Sequence, residues 1–202
     1  MTKKLLVWDL PTRLFHWSLA ILVGFSTYTG LTGGVKEMEY HMLSGYCILV
    51  LMLFRISWGF LGSYHSRFRN FLTVKGLIPY VRQILKKSGN ANGHNPLGAW
   101  SVIAMLAVIM VQAATGLFSD DDIMTKGPLS HLVSDNIVKD LTGMHRLNAW
   151  FIYGLVGLHL IAIIFYEVYH RNRLVLPMIT GRQKFANDQI TTEDRPEEYS
   201  GV

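Results

Sequence analysis

Residues 143–168 read GMHRLNAWFIYGLVGLHLIAIIFYEV, an apolar run in which Arg146 and Glu167 are the only formally charged side chains. About 20 such residues cross a bilayer as a helix, because backbone groups in lipid must bond within their own segment. The run nevertheless holds two histidines, His145 and His159. Ionisable residues at membrane depth are costly and mark function. The two are fourteen positions apart. At about 100° per residue that spacing returns to nearly the same helix face. At about 1.5 Å per residue it covers roughly 21 Å of axis. One helix thus offers a ligand near each membrane surface.

Three further segments are long and apolar enough to span: Leu14 to Leu31, His41 to Leu61 and Leu97 to Phe118. The expected fold is an all-α integral membrane protein, a bundle of four transmembrane helices. Composition agrees, since half of the 202 residues are hydrophobic and only 16% are charged, too apolar for an ordinary soluble domain. A net charge of +5 requires no nucleic acid, because Lys and Arg collect in the cytoplasmic loops of membrane proteins. Lys3 and Lys4 before an apolar run resemble a signal peptide, but Trp8, Asp9, Arg13 and His16 interrupt the approach and no A-x-A-like site follows. The reading is an uncleaved first membrane helix. Cys47 stands alone in an apolar run, which predicts a small core residue and no internal disulfide. Residues 1–185 form the membrane domain and 186–202 a polar cytoplasmic tail.

Charge asymmetry sets the orientation. Arg67, Arg69, Lys75, Arg82, Lys86 and Lys87 lie between the second and third spans with no acid among them. The segment after the fourth span begins His170-Arg171-Asn172-Arg173. Before the fourth span, Asp120, Asp121, Asp122, Asp135 and Asp140 outnumber Lys126 and Lys139. Both termini are therefore expected in the cytoplasm and both short loops outside. Leu77 to Lys87, with Pro79 near its start, reads as a basic amphipathic helix on the inner membrane face.

On this topology four histidines fall into two levels: His41 with His145 at the outer side, His16 with His159 at the inner. Facing histidine pairs suit six-coordinate haem, where two axial nitrogens leave no open position and favour electron transfer. The absence of C-x-x-C-H means haem held without thioether bonds. Gly45, Gly154 and Gly157 are candidates for helix separation. Arg55, fourteen positions after His41, and Arg13, one turn before His16, are candidate partners for haem propionates, with Arg146 a weaker one. His65, His94, His131 and His170 are expected at surfaces or caps. The third span has no histidine, and its large side chains read as packing or lipid contacts. No internal repeat stands out.

The run Trp8-Asp9-Leu10-Pro11-Thr12-Arg13-Leu14-Phe15-His16-Trp17 resembles the opening of the bacterial di-haem cytochrome b family, which includes cytochrome b561-type proteins and the membrane subunit of nickel–iron hydrogenases. The resemblance continues through His41-Met42-Leu43-Ser44-Gly45-Tyr46, Arg55-Ile56-Ser57-Trp58 and Gly93-His94-Asn95-Pro96-Leu97, and ends with His145, His159 and Thr180-Gly181-Arg182. It implies two non-covalent b haems, with His16, His41, His145 and His159 as axial ligands. It also implies electron exchange between the quinone pool and a periplasmic or membrane-attached partner: a hydrogenase, a multihaem cytochrome c or another reductase.

The favoured function is that of an electron-transfer subunit of a membrane oxidoreductase, in the bacterial cytoplasmic (inner) membrane, touching lipid and quinone; homo-oligomerisation is left open. The chain is shorter than the hydrogenase subunits, which weakens the hydrogenase partner and leaves a small cytochrome c at least equal. An alternative is a stand-alone oxidoreductase passing electrons from a small molecule such as superoxide to quinone. The acidic outer loop favours a basic protein over an anionic substrate. A metal or proton transporter would need carboxylates beside the histidines, and the spans have almost none.

Overall fold

The computed structural model describes residues 2–63, 66–71, 96–123, 125–169 and 173–186. The expected amphipathic helix Leu77 to Lys87, together with His65, His94 and His170, lies outside the described residues, as does the tail beyond Ala186.

Four long helices carry the fold: α1 Leu10–Thr32, α2 Val35–Leu61, α4 Pro96–Gly116 and α5 Asp135–Val168. Short elements flank them: β1 Thr2–Leu6, α3 Phe68–Phe71, a 3-10 turn Ser130–Leu132, α6 Val175–Thr180 and β2 Arg182–Ala186. All four long helices have the length and hydropathy to cross a membrane. Their large apolar side chains face outward, as at Val50 (65% exposed) and Ile161 (65%), where lipid rather than water is the fitting neighbour.

Local chemistry sets the helix ends. Asp9 caps α1, its Oδ1 accepting from the Thr12 N–H at 3.0 Å, and Pro11 in the first turn needs no intrahelical N–H partner. Helix α1 turns into α2 through Gly33 and Gly34, at φ 67° and 105°, backbone angles that favour glycine. Three boundaries differ from expectation. Helix α1 starts four residues early because Asp9 and Pro11 form a true cap. Helix α2 starts at Val35 rather than His41, since the diglycine turn lets it begin at once. Helix α5 starts at Asp135, not Gly143; its 34 residues span roughly 51 Å, more than the apolar thickness of a bilayer needs. Cys47, expected in the core, is exposed on α2, because the buried stripe of that helix runs through Ser44, Ile48, Met52 and Arg55.

Helix α1 packs on α2, α4 on α5, and α2 on α4. The packed centre is a thin apolar layer of Phe15, Ile48, Met52, Ile109 and Ile152, with Leu19, Leu22 and Leu106 around it. At one end of the bundle β1 and β2 form an antiparallel ribbon, Thr2 opposite Ala186 and Leu6 opposite Arg182. Two polar strands without an apolar stripe were not anticipated. Val7 and Trp8 N–H extend the pairing by donating to the Gly181 carbonyl at 2.9 and 3.2 Å. The N-terminal segment and β2 thus share one end, here the ribbon end. At the other end, the loop end, the connection from α4 to α5 is tied down. Lys126 pairs with Asp120 at 2.8 Å, and the Asp120 N–H donates to Thr142 Oγ1 on α5 at 3.0 Å.

Met52 is 1% exposed at the centre of the apolar layer. Met52→Ala should lower unfolding stability in detergent by about 2–4 kcal/mol through the cavity it leaves, read from the unfolding midpoint. A change within a few tenths of a kcal/mol would mean the layer collapses around the gap.

Candidate functional site

Helix α5 presents His145 toward the loop end and His159 toward the ribbon end. The structure brings each against one other histidine. The His41 and His145 ring centres are 6.0 Å apart with their planes at 89°. The His16 and His159 centres are 6.4 Å apart with planes at 56°. Both expected pairs are therefore formed, one from α2 and α5, the other from α1 and α5.

At the loop end, His41 Nδ1 is 2.8 Å from the Ser26 carbonyl oxygen, and His145 Nδ1 is 3.0 Å from the Gln112 carbonyl oxygen. A carbonyl oxygen only accepts, so each Nδ1 carries the proton and donates it. Each Nε2 then keeps its lone pair. Such an outer hydrogen bond is what fixes the tautomer and orientation of a metal-binding imidazole. Gln112 also donates its side-chain amide to His145 Nε2 at 3.1 Å, and its Oε1 accepts from Asn148 Nδ2 at 2.8 Å. A metal at His145 Nε2 would take the place of that amide donor. The second Asn148 contact, to the Val108 carbonyl at 2.9 Å, locks α4 to α5 beside the ring.

A cavity of about 630 Å³ opens among the four long helices at this end, within the roughly 300–1,000 Å³ range of small-molecule sites. His41, His145, Gly45, Arg146, Tyr46 and Trp150 are among its walls. Gly45 stands where room was expected. Gly154 and Gly157 do not line the cavity, and a methyl group at either would touch nothing within 4 Å.

The ribbon end is built differently. His16 Nδ1 is buried and has no hydrogen bond among the described residues, and the Trp17 ring meets His16 edge-on at 5.2 Å. Arg55 is 4% exposed. Its guanidinium donates to the Ser66 carbonyl at 3.2 Å and lies 5.0 Å from the Phe68 ring centre and 6.0 Å from that of Phe15. A buried cation is costly without a counter-charge, and Arg55 has no ion pair among the described residues. Arg13 donates to the Ile179 carbonyl and Trp17 Nε1–H to the Met178 carbonyl at 3.2 Å, so both fasten α6 to α1. Arg13 thus serves the end of α6 in this arrangement.

The donor set fits haem iron. A metal–imidazole bond of about 2 Å on either side of an iron places the two ring centres roughly 6 Å apart, the separation of both pairs. Among the described residues no three His, Cys, Asp or Glu side chains converge as a metal-ion site. Two donors per level suit a metal whose other positions a macrocycle fills.

Sequence reading missed the contribution of α4. Its Gln112 and Thr115 hold His145, Thr115 Oγ1 lying 3.2 Å from His145 Nδ1. The available signal was the amides of Gln112 and Asn148 inside apolar spans, since polar groups in such segments seek partners on neighbouring helices.

Asp9 organises the base of the ribbon end. Its carboxylate accepts from Ser63 Oγ at 2.6 Å, Trp58 Nε1–H at 3.0 Å and the Thr12 N–H. Burial alone would raise its pKa, but the hydrogen bonds from Ser63, Thr12 and Trp58 together outweigh it and hold the carboxyl below the usual range. A depressed carboxylate contributes stability that is complete above its unfolded pKa, about 3.9, and is lost as pH falls through the folded value. Asp9→Asn keeps a capping acceptor and should flatten the acid limb of a stability-versus-pH curve below about pH 4. Asp9→Ala should cost about 1 kcal/mol or more at neutral pH. An unchanged acid limb in Asp9→Asn would show that the capping carboxylate is not what titrates.

A family model described as prokaryotic cytochrome b561 matches residues 7–181. Similar curated proteins include the probable Ni/Fe-hydrogenase B-type cytochrome subunits of Azotobacter chroococcum mcd 1 (24% identical over 91% of this chain and 90% of the relative) and Cupriavidus necator (25%, 91% and 88%). The probable Ni/Fe-hydrogenase 1 B-type cytochrome subunit of Escherichia coli (strain K12) is 22% identical over 94% of both chains. No solved structure matches the chain.

Proposed function

The chain belongs to the prokaryotic cytochrome b561 family, and from that premise we propose that it moves electrons across the membrane through two bis-histidine b haems, one held by His41 and His145, the other by His16 and His159. Membrane electron transfer through b-type haem, in a multi-pass protein of the bacterial inner membrane, is the activity that the family and its relatives' names establish. The observation that carries the finer reading is the pairing of all four intramembrane histidines, two by two, along one shared helix. When bound, a six-coordinate b haem supplies reversible one-electron chemistry at iron and no open position for oxygen.

The residues divide the remaining work. Ser26 and Gln112 carbonyls orient the loop-end imidazoles with Nε2 toward the cofactor. Arg55 is a buried cation suited to a propionate of the ribbon-end haem, and Arg13 stands at the same end as a second cation. The apolar layer around Met52 keeps water out between the two levels, which lie roughly 21 Å apart along α5. The positive-inside bias supports a cytoplasmic ribbon end, which would make His41 and His145 the periplasmic level.

Quinone at the membrane and a periplasmic redox protein are the proposed termini. The curated relatives carry hydrogenase-subunit names, which favours a hydrogenase-type partner. The match covers nine-tenths of the Azotobacter chroococcum relative's length, which supports the same reading. A cytochrome c remains the second candidate, favoured by the aspartates at the loop end.

Purified protein should give a low-spin b-type reduced-minus-oxidised spectrum at two haems per chain. His41→Ala should retain one, with the ribbon-end signal unchanged. Loss of both haems from a variant that keeps its helical content would sink the pairing. Reduction by quinol, with and without the co-purifying periplasmic protein, tests the termini.

A further inference from the structure

The two loop-end histidines are seated by the same device on different helices. Ser26-Thr27-Tyr28-Thr29-Gly30 on α1 faces His41, and Gln112-Ala113-Ala114-Thr115-Gly116 on α4 faces His145. In each, the first residue's carbonyl accepts the imidazole Nδ1–H. In each, the threonine hydroxyl turns back to its own helix. Thr29 donates to the Phe25 carbonyl and approaches that of Ser26 at 3.0 and 3.1 Å; Thr115 does so toward Val111 and Gln112 at 2.7 and 3.1 Å. Each glycine lies where the ring passes. A Cβ on Gly30 would sit 3.0 Å from His41 Cε1 and Nδ1, and one on Gly116 would sit 3.0 Å from His145 Cε1.

A helical carbonyl is normally screened by the side chain one turn on. Removing that side chain exposes its second lone pair to a neighbour, while the first still bonds the helix. The threonine hydroxyl holds the same carbonyl from the other side, a known way of bending a helix locally. The resulting seat is narrow and rigid. Two such seats, on α1 and α4, meet the rings from different directions, and the ring planes end at 89°. The ribbon-end pair has no counterpart seat at His16, whose Nδ1 is without a hydrogen bond among the described residues. Its planes stand at 56°.

We propose that Thr29-Gly30 and Thr115-Gly116 are a duplicated positioning element that fixes the tautomer and the crossed orientation of the loop-end imidazoles, and so gives that level an electronic character distinct from the ribbon end. The inference rests on the bis-histidine reading above. These residues act through the histidines, although Gly30 and Gly116 also reach the cavity wall. Thr115 adds a second acceptor, 3.2 Å from His145 Nδ1. An acceptor on Nδ1–H makes the imidazole a stronger donor at Nε2, which favours the oxidised metal and lowers the midpoint potential.

The test is redox titration and ferric-state electron paramagnetic resonance on the full-length protein with both haems. Thr115→Val should move one of the two midpoint potentials upward and leave the other in place. Thr115→Ser, which keeps the hydroxyl, should retain the original value. Gly116→Ala should alter the g-anisotropy of one low-spin signal only, since the added methyl turns the His145 ring. Loss of one haem in Thr115→Val with two retained in Thr115→Ser would support the same role. Unmoved potentials in Thr115→Val, equal shifts of both, or haem loss in Thr115→Ser would overturn it while leaving the two-haem reading intact. Wild-type protein without two haems would overturn both.

Discussion

An imidazole inside an apolar bundle has two ring nitrogens, and each needs an account. At the loop end the account opens with a backbone carbonyl on a neighbouring helix taking the Nδ1 proton, from Ser26 for His41 and from Gln112 for His145. That hydrogen bond decides which nitrogen points into the cavity and joins α1 to α2 and α4 to α5 at a fixed rotation. In lipid there is no hydrophobic drive between helices, so packing and such interhelical polar contacts hold the bundle together. The contacts that orient the ligands are therefore also contacts that assemble the fold.

The bundle is otherwise economical in its burial. Among the described residues, the buried apolar cluster is a thin layer through Phe15, Ile48, Met52, Ile109 and Ile152. On its loop side the helices part around His41 and His145; on its ribbon side lie His16 and His159. An apolar layer thus lies between the two histidine levels, and α5 runs past both as a common wall. Arg55 and Asp9 show the same economy at the ribbon end. Asp9 caps α1 while holding Trp58 and Ser63 from the end of α2 and the segment beyond it, and Arg55 lies near the Phe68 and Phe15 rings.

Much of this was legible from residues alone. The four spans, the two histidine levels and the bis-histidine pairs followed from hydropathy, charge bias and a fourteen-residue step, all of which are long-range regularities. Failures came from short-range chemistry. A cap of Asp9 and Pro11, or a diglycine turn, moves a helix boundary by several residues without altering its hydropathy. Cys47 lies one residue from a buried position, and a shift of one residue along a helix turns a side chain by about 100°, enough to carry it from core to lipid. The α4 contribution was hidden because a backbone carbonyl has no signature of its own; only Gln112, Asn148 and a repeated Thr-Gly hinted at it, in a repeat too short to register as one.

The β1–β2 ribbon carries a further implication for how the molecule is made. Thr2 pairs with Ala186, so the first strand cannot find its partner until nearly the whole chain has left the ribosome. At roughly 5–20 residues per second, the N-terminal strand waits on the order of ten to forty seconds while four helices enter the membrane. The ribbon, with Arg13 and Trp17 clasping α6, can close only after those helices have been made. A chain that inserted one helix too few would leave these two strands on opposite sides of the bilayer, where no ribbon can form. The ribbon can therefore close only when an even number of helices separates its two strands.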